Sequence, residues 1–326
     1  MQRRTFIALL GGTVAAWPRA VFAQRAGKVH RVGLVMGNTP VFIAARTAFL
    51  EEMRKNGFIE GQNFILDFRS NQQSSPELLA LMAALVASKV DVIVAGGTEL
   101  TLRAAVAASP SVPIVMWANN FDPIAGGYVK SLAQPGGNVT GVFTRQPELA
   151  EKQVELLKET FPQHKRLALL WDAQTVDQFN AAERRARLLG LDVASVKLEK
   201  LPYDIPGAFR TLMAGAPQML QVASGPNIGG YQQSIVDQAI QHRLPGMYIF
   251  KTYVERGGLM SYGVNIESSF RTLAALVTKV LNGAKPAELP IEQPTIYELA
   301  INLKTAKALG IELPTSILLR ANEVIE

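Results

Sequence analysis

The stretch Val90-Asp91-Val92-Ile93-Val94-Ala95-Gly96-Gly97-Thr98 indicates the fold class of this chain. Apart from Asp91, residues 90–95 form an apolar run rich in β-branched side chains, which is typical of a strand buried on both faces. Two glycines and a threonine end the run, and the residues behind them predict a helix through Ala108. A buried strand that leads through a short turn into a helix is the repeating unit of a parallel α/β sheet.

The same alternation continues on both sides of this stretch. The first half has further predicted strands at residues 29–36, 64–68 and 112–117. The pattern restarts after the glycine-rich segment 134–138, with predicted strands at 166–171, 191–196, 218–223, 246–250 and 258–262 and helices at 148–160, 176–189, 203–213, 229–242 and 268–281. The sequence therefore predicts an α/β protein with two doubly wound parallel-sheet lobes, whose ligand site lies outside the carboxyl ends of the strands.

The N-terminus carries half of the basic surplus of the chain. Lys and Arg number 33 against 27 Asp and Glu, a formal net charge of +6. Arg3, Arg4 and Arg19 lie within residues 1–23, which contain no acid, so 30 basic residues face 27 acidic ones in the remainder, or +3. A cationic start, an apolar core at residues 6–16 and small residues before Gln24 predict a cleavable signal peptide at residues 1–23, either Sec or twin-arginine type. We expect a periplasmic protein, and a charge of +3 without a basic run argues against a nucleic-acid partner.

The search for catalytic chemistry is negative. The chain has no cysteine, which excludes disulfides, zinc–thiolate sites and cysteine nucleophiles. His30, His164 and His242 are far apart in sequence, and none belongs to an H-E-x-x-H pair. The G-x-S-x-G, Walker and G-x-G-x-x-G motifs are all absent from the sequence. We therefore expect no enzyme activity, no cofactor and no metal.

Polar residues follow several predicted strands, where a parallel α/β sheet presents ligands. Two glycines permit close backbone approach before Thr98, whose hydroxyl and helix N-terminus suit an anion such as a carboxylate, although Thr98 could simply cap the helix. Asp122 could hold an ammonium group or only form a turn with Pro123. Phe121 and Tyr253 could stack on a ring. The predicted ligand-binding residues are Asn38, Thr39, Gly97, Thr98, Asn120, Asp122, Asp172, Ser224 and Tyr253.

Three longer motifs resemble those of one protein family. They are Ser131-Leu132-Ala133-Gln134-Pro135-Gly136-Gly137-Asn138-Val139-Thr140-Gly141 behind Asp122-Pro123, Gly257-Gly258-Leu259-Met260-Ser261-Tyr262-Gly263, and Leu289-Pro290-Ile291-Glu292-Gln293-Pro294 followed by residues 301–310. Together they resemble the periplasmic substrate-binding proteins of ABC transporters that take up tryptophan and tyrosine. The sequence departs from the usual pattern at Glu99-Leu100, where small residues are common, and at residues 117–121.

The resemblance implies a type I periplasmic-binding-protein fold with a three-crossover hinge. On this basis, residues 28–137 plus 263–294 would form the N-terminal lobe, and residues 138–262 plus 295–326 the C-terminal lobe. The chain would cross between the lobes at residues 138–143, 258–262 and 295–301. The segment Gly97-Thr98 matches the one that grips a ligand carboxylate in amino-acid binders, and the other predicted residues match positions on the walls of the cleft.

The implied function is that of a solute-binding component of an ABC importer. A monomer would bind a small polar or aromatic organic solute, either an amino acid or an organic acid, by hinged closure and deliver it to an ABC permease in the inner membrane. Two alternatives remain open from the sequence. One is an exported hydrolase or isomerase on the same scaffold, and the other is a ligand sensor for a membrane receptor.

Overall fold

The first sheet contains five parallel strands in the order β2-β1-β3-β4-β5. The computed structural model describes residues 28–71 and 75–326, so the predicted signal peptide lies outside the described residues. The strands are β1 (His30–Met36), β2 (Phe64–Ser70), β3 (Val92–Gly97), β4 (Ile114–Ala118) and β5 (Val139–Phe143). Strands β3, β4 and β5 are almost entirely buried, as the apolar sequences of β3 and β4 predict.

The second sheet contains seven strands in the order β12-β11-β10-β9-β8-β6-β7. They are β6 (Arg166–Asp172), β7 (Asp192–Leu198), β8 (Met219–Val222), β9 (Gly246–Tyr248), β10 (Met260–Val264), β11 (Tyr297–Asn302) and β12 (Glu323–Ile325). All neighbours run parallel except β10 and β11, which pair antiparallel. The fold class predicted from the sequence, two parallel-sheet α/β lobes, is therefore confirmed, with one reversed neighbour pair in the second sheet.

Helices follow the strands in both lobes. They are α1 (Pro40–Lys55), α2 (Ser75–Ala87), α3 (Glu99–Ala108), α4 (Gln146–Thr160), α5 (Val176–Leu188), α6 (Ile205–Met213), α7 (Gln232–Gln241), α8 (Lys251–Glu255), α9 (Ile266–Leu281), α10 (Leu303–Leu309) and α11 (Thr315–Leu318). Among the described residues, no helix is both long enough and apolar enough to span a membrane.

Helix α9 returns to the first lobe and completes its core. Trp117 of β4 is 1% exposed and packs edge-on against Phe42 and Phe270, with ring centroids 5.9 and 5.4 Å away. Phe42 belongs to α1 and Phe270 to α9, so this aromatic cluster joins helices that are distant in sequence. The first lobe therefore depends on a segment that arrives after the whole central part of the second sheet.

The first crossing between the lobes lies later in the chain than predicted. Residues 138–143 were expected to cross, but 139–143 pair with β4 as the edge strand of the first sheet. The Thr144 backbone N–H also donates to the Ala118 carbonyl at 2.8 Å, so the chain leaves the first lobe only before α4 begins at Gln146. That prediction is wrong because residues 139–143 form a buried strand of the first sheet. In the sequence this strand resembles a linker, since the strand–helix pattern restarts directly after the glycine-rich segment 134–138.

The other two crossings flank β10 and β11. Strand β10 belongs to the second sheet throughout, and the chain passes to the first lobe between Val264 and Ile266. Residues 295–301 were expected to form a crossing, but Tyr297–Asn302 is strand β11 of the second sheet. The return therefore occupies the few residues before Tyr297.

Candidate functional site

A cavity of about 300 Å³ lies between the two lobes beside the first crossing. We call it the interlobe cavity. The first lobe supplies the loop after β4, the crossing supplies the residues that connect β5 to α4, and the second lobe supplies the turn after β6 and the start of α5. Its lining residues are Asn119, Asn120, Phe121, Asp122, Ile124, Leu132, Phe143, Thr144, Arg145, Gln146, Pro147, Glu148, Gln174, Thr175, Asp177 and Gln178.

Two buried polar atoms at the crossing lack hydrogen-bond partners. Thr144 is 2% exposed and Gln146 is 4% exposed, and both residues line the interlobe cavity. The Gln146 amide nitrogen donates to Asn119 Oδ1 at 2.8 Å, whereas Gln146 Oε1 and Thr144 Oγ1 have no partner among the described residues. Both atoms are enclosed by protein, so their burial costs free energy at the junction of the lobes and they do not form the surface of the cavity.

Apolar side chains form the first-lobe wall of the cavity. Phe121, Ile124, Leu132 and Phe143 all line it. The Phe121 ring lies edge-on to Tyr128, with centroids 6.1 Å apart, which restrains its orientation. This wall can cover an aromatic or aliphatic ligand body.

Tyr128 ties this wall to the start of α3. Its hydroxyl donates to Glu99 Oε1 at 2.9 Å. Burial and this hydrogen bond raise the pKa of Tyr128 to about 12, so the hydroxyl stays protonated at neutral pH. Glu99, one of the residues at which the sequence departs from the motifs it resembles, therefore supports the aromatic wall through its carboxylate.

Two of the carboxylates that line the cavity, those of Glu148 and Asp122, accept hydrogen bonds from nearby groups. Glu148 accepts from Arg145 at 2.7 Å, which engages that guanidinium. Asp122 Oδ1 accepts from the backbone N–H groups of Ile124 and Ala125 at 2.8 and 3.1 Å. The carboxylate of Asp122 thus forms the turn that its neighbour Pro123 suggested, and one oxygen remains for another partner.

The second-lobe wall is held in place by hydrogen bonds to the loop after β8. The Gln178 side chain accepts from the Ser224 backbone N–H at 2.9 Å and donates to the Ser224 carbonyl at 2.8 Å. Both residues are buried, at 5% and 7% exposure. Gln178 therefore has a fixed orientation, and its outer surface forms part of the cavity.

Asn120 forms a hydrogen bond directly across the cleft between the lobes. With its amide nitrogen turned towards the neighbouring acceptors, Asn120 donates to the carbonyls of Asn119 and Ser224, both at 3.1 Å. Asn120 belongs to the first lobe and Ser224 to the second. Together with the bond between Asn119 and Gln146, it holds the two walls of the cavity against each other.

Asp172 was predicted to contact ligand, but the structure buries it inside the second lobe. It is 1% exposed, and its carboxylate accepts from Gln174 N at 3.0 Å and from the hydroxyls of Thr175 and Tyr203 at 3.2 and 2.9 Å. Burial and this hydrogen bond raise the pKa of Tyr203 to about 12. Asp172 therefore positions the turn that lines the cavity and does not face it.

Tyr253 is also displaced from its predicted role. It is 3% exposed and stacks on Tyr248, with centroids 4.6 Å apart and ring planes 9° apart. Both rings belong to the second-lobe core between α7, α8 and β9. Tyr253 lies in the first turn of α8, and its side chain points into the core of the second lobe. It therefore does not line the interlobe cavity.

The segment Gly97-Thr98 does not line the interlobe cavity. Gly97 has φ +94°, a conformation that favours glycine. Thr98 caps α3, since its hydroxyl accepts from Thr101 N at 3.3 Å and contacts the Thr101 hydroxyl at 2.9 Å. The structure therefore shows the simple capping role that the sequence left open for Thr98.

Thr39 lies on another part of the cleft, whereas its neighbour Asn38 is exposed and lines neither cavity. Thr39 lines a separate cavity of about 490 Å³, together with Val41 of the first lobe. The second lobe contributes residues from around the starts of α7 and α8, among them Arg256. The predicted wall positions are thus divided: Asn120 and Asp122 line the interlobe cavity, Ser224 supports it, and Thr39 faces the second cavity.

Sequence reasoning missed the crossing itself. Thr144, Arg145, Gln146 and Glu148 line the cavity, but the sequence offered only a continuous run from a supposed linker into a helix. The available signal was Pro147 at the start of α4, because a helix start at the end of a strand presents polar backbone groups. Recognition of 139–143 as a strand would have placed these residues at a sheet edge.

No histidine lines either cleft cavity. His30 begins β1, His164 stacks on Phe161 at 5.0 Å, and His242 stacks on Phe209 at 6.0 Å. Within residues 28–71 and 75–326, no group of three or more His, Cys, Asp or Glu side chains could hold a metal ion. The arrangement at the cavity provides binding groups without a histidine base.

Residues 34–325 match the family of ABC transporter substrate binding proteins. The chain belongs to this family. A related substrate-binding protein, the tyrosine-binding protein of Clostridioides difficile, is 26% identical over 276 residues, which cover 84% of this chain and 78% of that protein.

Two solved structures of the family show the same architecture. One is an ABC domain in complex with L-Trp from Streptococcus pneumoniae, with TM-score 0.79 and 26% identity, covering 91% of this chain and 99% of that one. The other is the ligand-free, open structure of a substrate-binding protein with adhesive properties from Clostridium difficile, with TM-score 0.72, 26% identity and the same coverage. These similarities agree with a type I periplasmic-binding-protein fold and with small-molecule binding.

Proposed function

We propose that this substrate-binding protein serves an ABC importer and binds a small organic solute with an aromatic or apolar body and a polar, hydrogen-bonding end. The observation that carries the proposal is the interlobe cavity itself, which has the apolar side chains of Phe121, Ile124 and Phe143 on one side and polar side chains of both lobes on the other. Tryptophan and tyrosine, named for two relatives, combine an aromatic body with a polar end.

Closure of the lobes would complete the site. The apolar wall belongs to the first lobe, Gln178 belongs to the second, and Gln146 lies on the crossing between them. A ligand that contacts all three groups favours the closed arrangement over the open one, because the contacts are complete only when the walls meet. The closed form would then be the one that an inner-membrane ABC permease recognises.

The proposed location is the periplasm. It is supported by the family, whose members present solutes to transporters, and by the signal-peptide pattern of residues 1–23. The absence of a histidine from the cleft cavities gives no support to the hydrolase or isomerase alternative.

Two matched alanine substitutions test the site. Phe121 and Phe179 are both half-buried and each contacts another aromatic ring, Tyr128 and Trp171 respectively, but only Phe121 lines the interlobe cavity. Both substitutions should lower the free energy of unfolding by about 2 kcal/mol. Only Phe121→Ala should weaken ligand binding, by about tenfold, because it removes apolar surface from the cavity.

The measurements are urea unfolding for stability and calorimetric titration for binding. Tyrosine, tryptophan, phenylalanine and the amines that correspond to them serve as ligands, after a thermal-shift screen has ranked them. If every one of these compounds leaves the melting temperature unchanged at millimolar concentration, the proposed solute class is wrong. If Phe121→Ala and Phe179→Ala affect binding equally, the interlobe cavity is not the site.

A further inference from the structure

The cleft between the lobes contains two cavities that lie side by side. The interlobe cavity is formed by residues that follow β4, β5 and β6, and the second cavity by residues that follow β1, β8 and β9. Two strand spacings separate β1 from β4 in the first sheet, and two separate β9 from β6 in the second. Because neighbouring strands are about 4.8 Å apart, the two cavities are centred roughly 10 Å from each other. One ligand of this length can reach both cavities.

The direct contact between the lobes lies between the two cavities. Asn120 follows β4 and lines the interlobe cavity, Ser224 follows β8, and the Asn120 amide donates to the Ser224 carbonyl at 3.1 Å. A ligand amide can be inserted into this contact, because its carbonyl accepts from Asn120 while its N–H donates to the Ser224 carbonyl. Both protein groups then keep a hydrogen-bond partner, so the exchange leaves neither of them unsatisfied.

Arg256 gives the second cavity a guanidinium without an anionic partner. Its Nε donates to Gln232 Oε1 at 3.3 Å, a neutral acceptor in the wall of the same cavity. Among the residues that the structure describes, no carboxylate forms an ion pair with Arg256. The residue is exposed, and both terminal nitrogens of its side chain can donate to a carboxylate in a fork-like pair.

Glu255 also lines the second cavity and sets a limit on how its charge can act. Burial disfavours the charged form of Lys251, but the nearby carboxylates of Glu323 and Glu255 outweigh burial and raise the pKa of this amine. Glu255 and Arg256 together leave the cavity lining without a net charge. A ligand carboxylate would therefore be held by direct contact with the guanidinium and not by the overall field of the cavity.

We infer that the cleft binds one elongated ligand across both cavities, with an aromatic body, a central amide and a terminal carboxylate, as in an aromatic N-acyl amino acid. This inference rests on the proposed function, because it assumes that an aromatic body binds in the interlobe cavity. The ring would lie against Phe121, and the amide would replace the direct contact between Asn120 and Ser224. The carboxylate would pair with Arg256 in the second cavity.

A matched ligand series tests the inference. Calorimetric titrations compare phenylalanine, 3-phenylpropanoate, N-(3-phenylpropanoyl)glycine and the neutral N-(3-phenylpropanoyl)glycinamide. The added glycine moves the carboxylate about 3.5 Å further from the ring, to a total of about 9 Å, which is close to the spacing of the cavities. N-(3-phenylpropanoyl)glycine should bind at least about tenfold more tightly than either 3-phenylpropanoate or its own amide.

The outcomes distinguish the inference from the proposed function. If phenylalanine or 3-phenylpropanoate binds as tightly as N-(3-phenylpropanoyl)glycine, the inference is overturned and the proposed function stands. If none of the four compounds binds, the proposed function is wrong for aromatic solutes, and the inference falls with it.

Two arginine substitutions give a second readout. Arg256→Gln should remove the roughly tenfold advantage of N-(3-phenylpropanoyl)glycine over its amide, because the carboxylate loses its partner. Arg243→Gln is the matched control, because Arg243 is an exposed arginine of the same lobe that donates to a neutral acceptor, the Leu309 carbonyl at 3.3 Å, and lines neither cleft cavity. Melting temperatures verify that both variants fold. An advantage that is absent from the wild type, or that both substitutions change equally, overturns the role of Arg256 and with it the inference.

Discussion

Replacement of Asn120 by alanine should shift the unliganded protein towards an open arrangement of its lobes. The Asn120 amide donates across the cleft to the Ser224 carbonyl at 3.1 Å, and its second bond, to the Asn119 carbonyl, stays within the first lobe. Of these two bonds of Asn120, only the one to the Ser224 carbonyl joins the two lobes. The substitution therefore removes one interlobe hydrogen bond and leaves the folds of both lobes intact.

The size of the effect follows from the value of that bond. A hydrogen bond within a protein contributes about 0.5–1.5 kcal/mol net, which corresponds to a change of about two- to tenfold in the ratio of closed to open molecules. The apparent affinity for ligand should fall by a similar factor if only the closed form binds tightly. The Ser224 carbonyl keeps its bond from Gln178, so this acceptor is not left without a partner.

Distances between spin labels on the two lobes measure the shift. The chain has no cysteine, so Leu79→Cys and Leu188→Cys introduce unique labelling sites. Leu79 lies on α2 of the first lobe and Leu188 on α5 of the second, and both side chains are exposed. In the Asn120→Ala variant, the distance distribution without ligand should gain population at a separation distinct from that of the closed form.

Asn138→Ala is the matched control. The Asn138 amide donates to the carbonyls of Ser109 and Val112 at 3.3 and 2.8 Å, all within the first lobe. It should lower stability without changing the distance distribution. An unchanged distribution in the Asn120→Ala variant, or an equal change in both variants, would refute the assignment of Asn120 as an interlobe contact.

Two further predictions concern the fold. Gly141 has φ +149°, and a Cβ there would lie 1.9 Å from the Met116 carbonyl oxygen, so Gly141→Ala should destabilise the protein by about 3 kcal/mol or more in urea unfolding, while Gly137→Ala, which meets no atom within 4 Å, should not. Tyr203 has its pKa raised to about 12, first by burial and then by Asp172, so the folded state holds this proton more tightly than the unfolded state. Stability from this group is therefore present below about pH 10 and is lost as the pH rises towards 12. The difference in melting temperature between wild type and Tyr203→Phe should shrink over this range; a constant difference would contradict the assignment.

The main errors of sequence interpretation arose where one segment could belong to either lobe. Residues 139–143 are apolar and β-branched, but local pattern does not identify the sheet that such a strand joins. The strand belongs to the first lobe because it pairs with β4. Gly141 permits this pairing, since a side chain at that position would collide with the backbone of Met116. The same ambiguity concealed β11, whose antiparallel pairing with β10 depends on a neighbour more than thirty residues earlier in the chain.

The predicted site residues show a similar division. Asn120 and Asp122 reached the cavity because they directly follow a buried strand, as the fold class requires. Asp172, Thr98 and Tyr253 also lie at or after strand ends, yet each side chain makes its contacts within its own lobe. Asp172 forms a turn, Thr98 caps a helix and Tyr253 stacks on another tyrosine. Position after a strand sets which end of the sheet a residue occupies, and local hydrogen bonding sets where its side chain points.

The sequence by itself determined the α/β class, the division into two lobes and the family, because alternating buried strands and helices leave a periodic hydrophobic pattern along the chain. Tertiary structure alone decided which residues form the interlobe cavity. Thr144 and Gln146 could be placed at the cavity only when the strand before them and the helix after them were assigned to their lobes. Burial and the loss of water are properties of the assembled lobes, so no local pattern in the sequence could specify them.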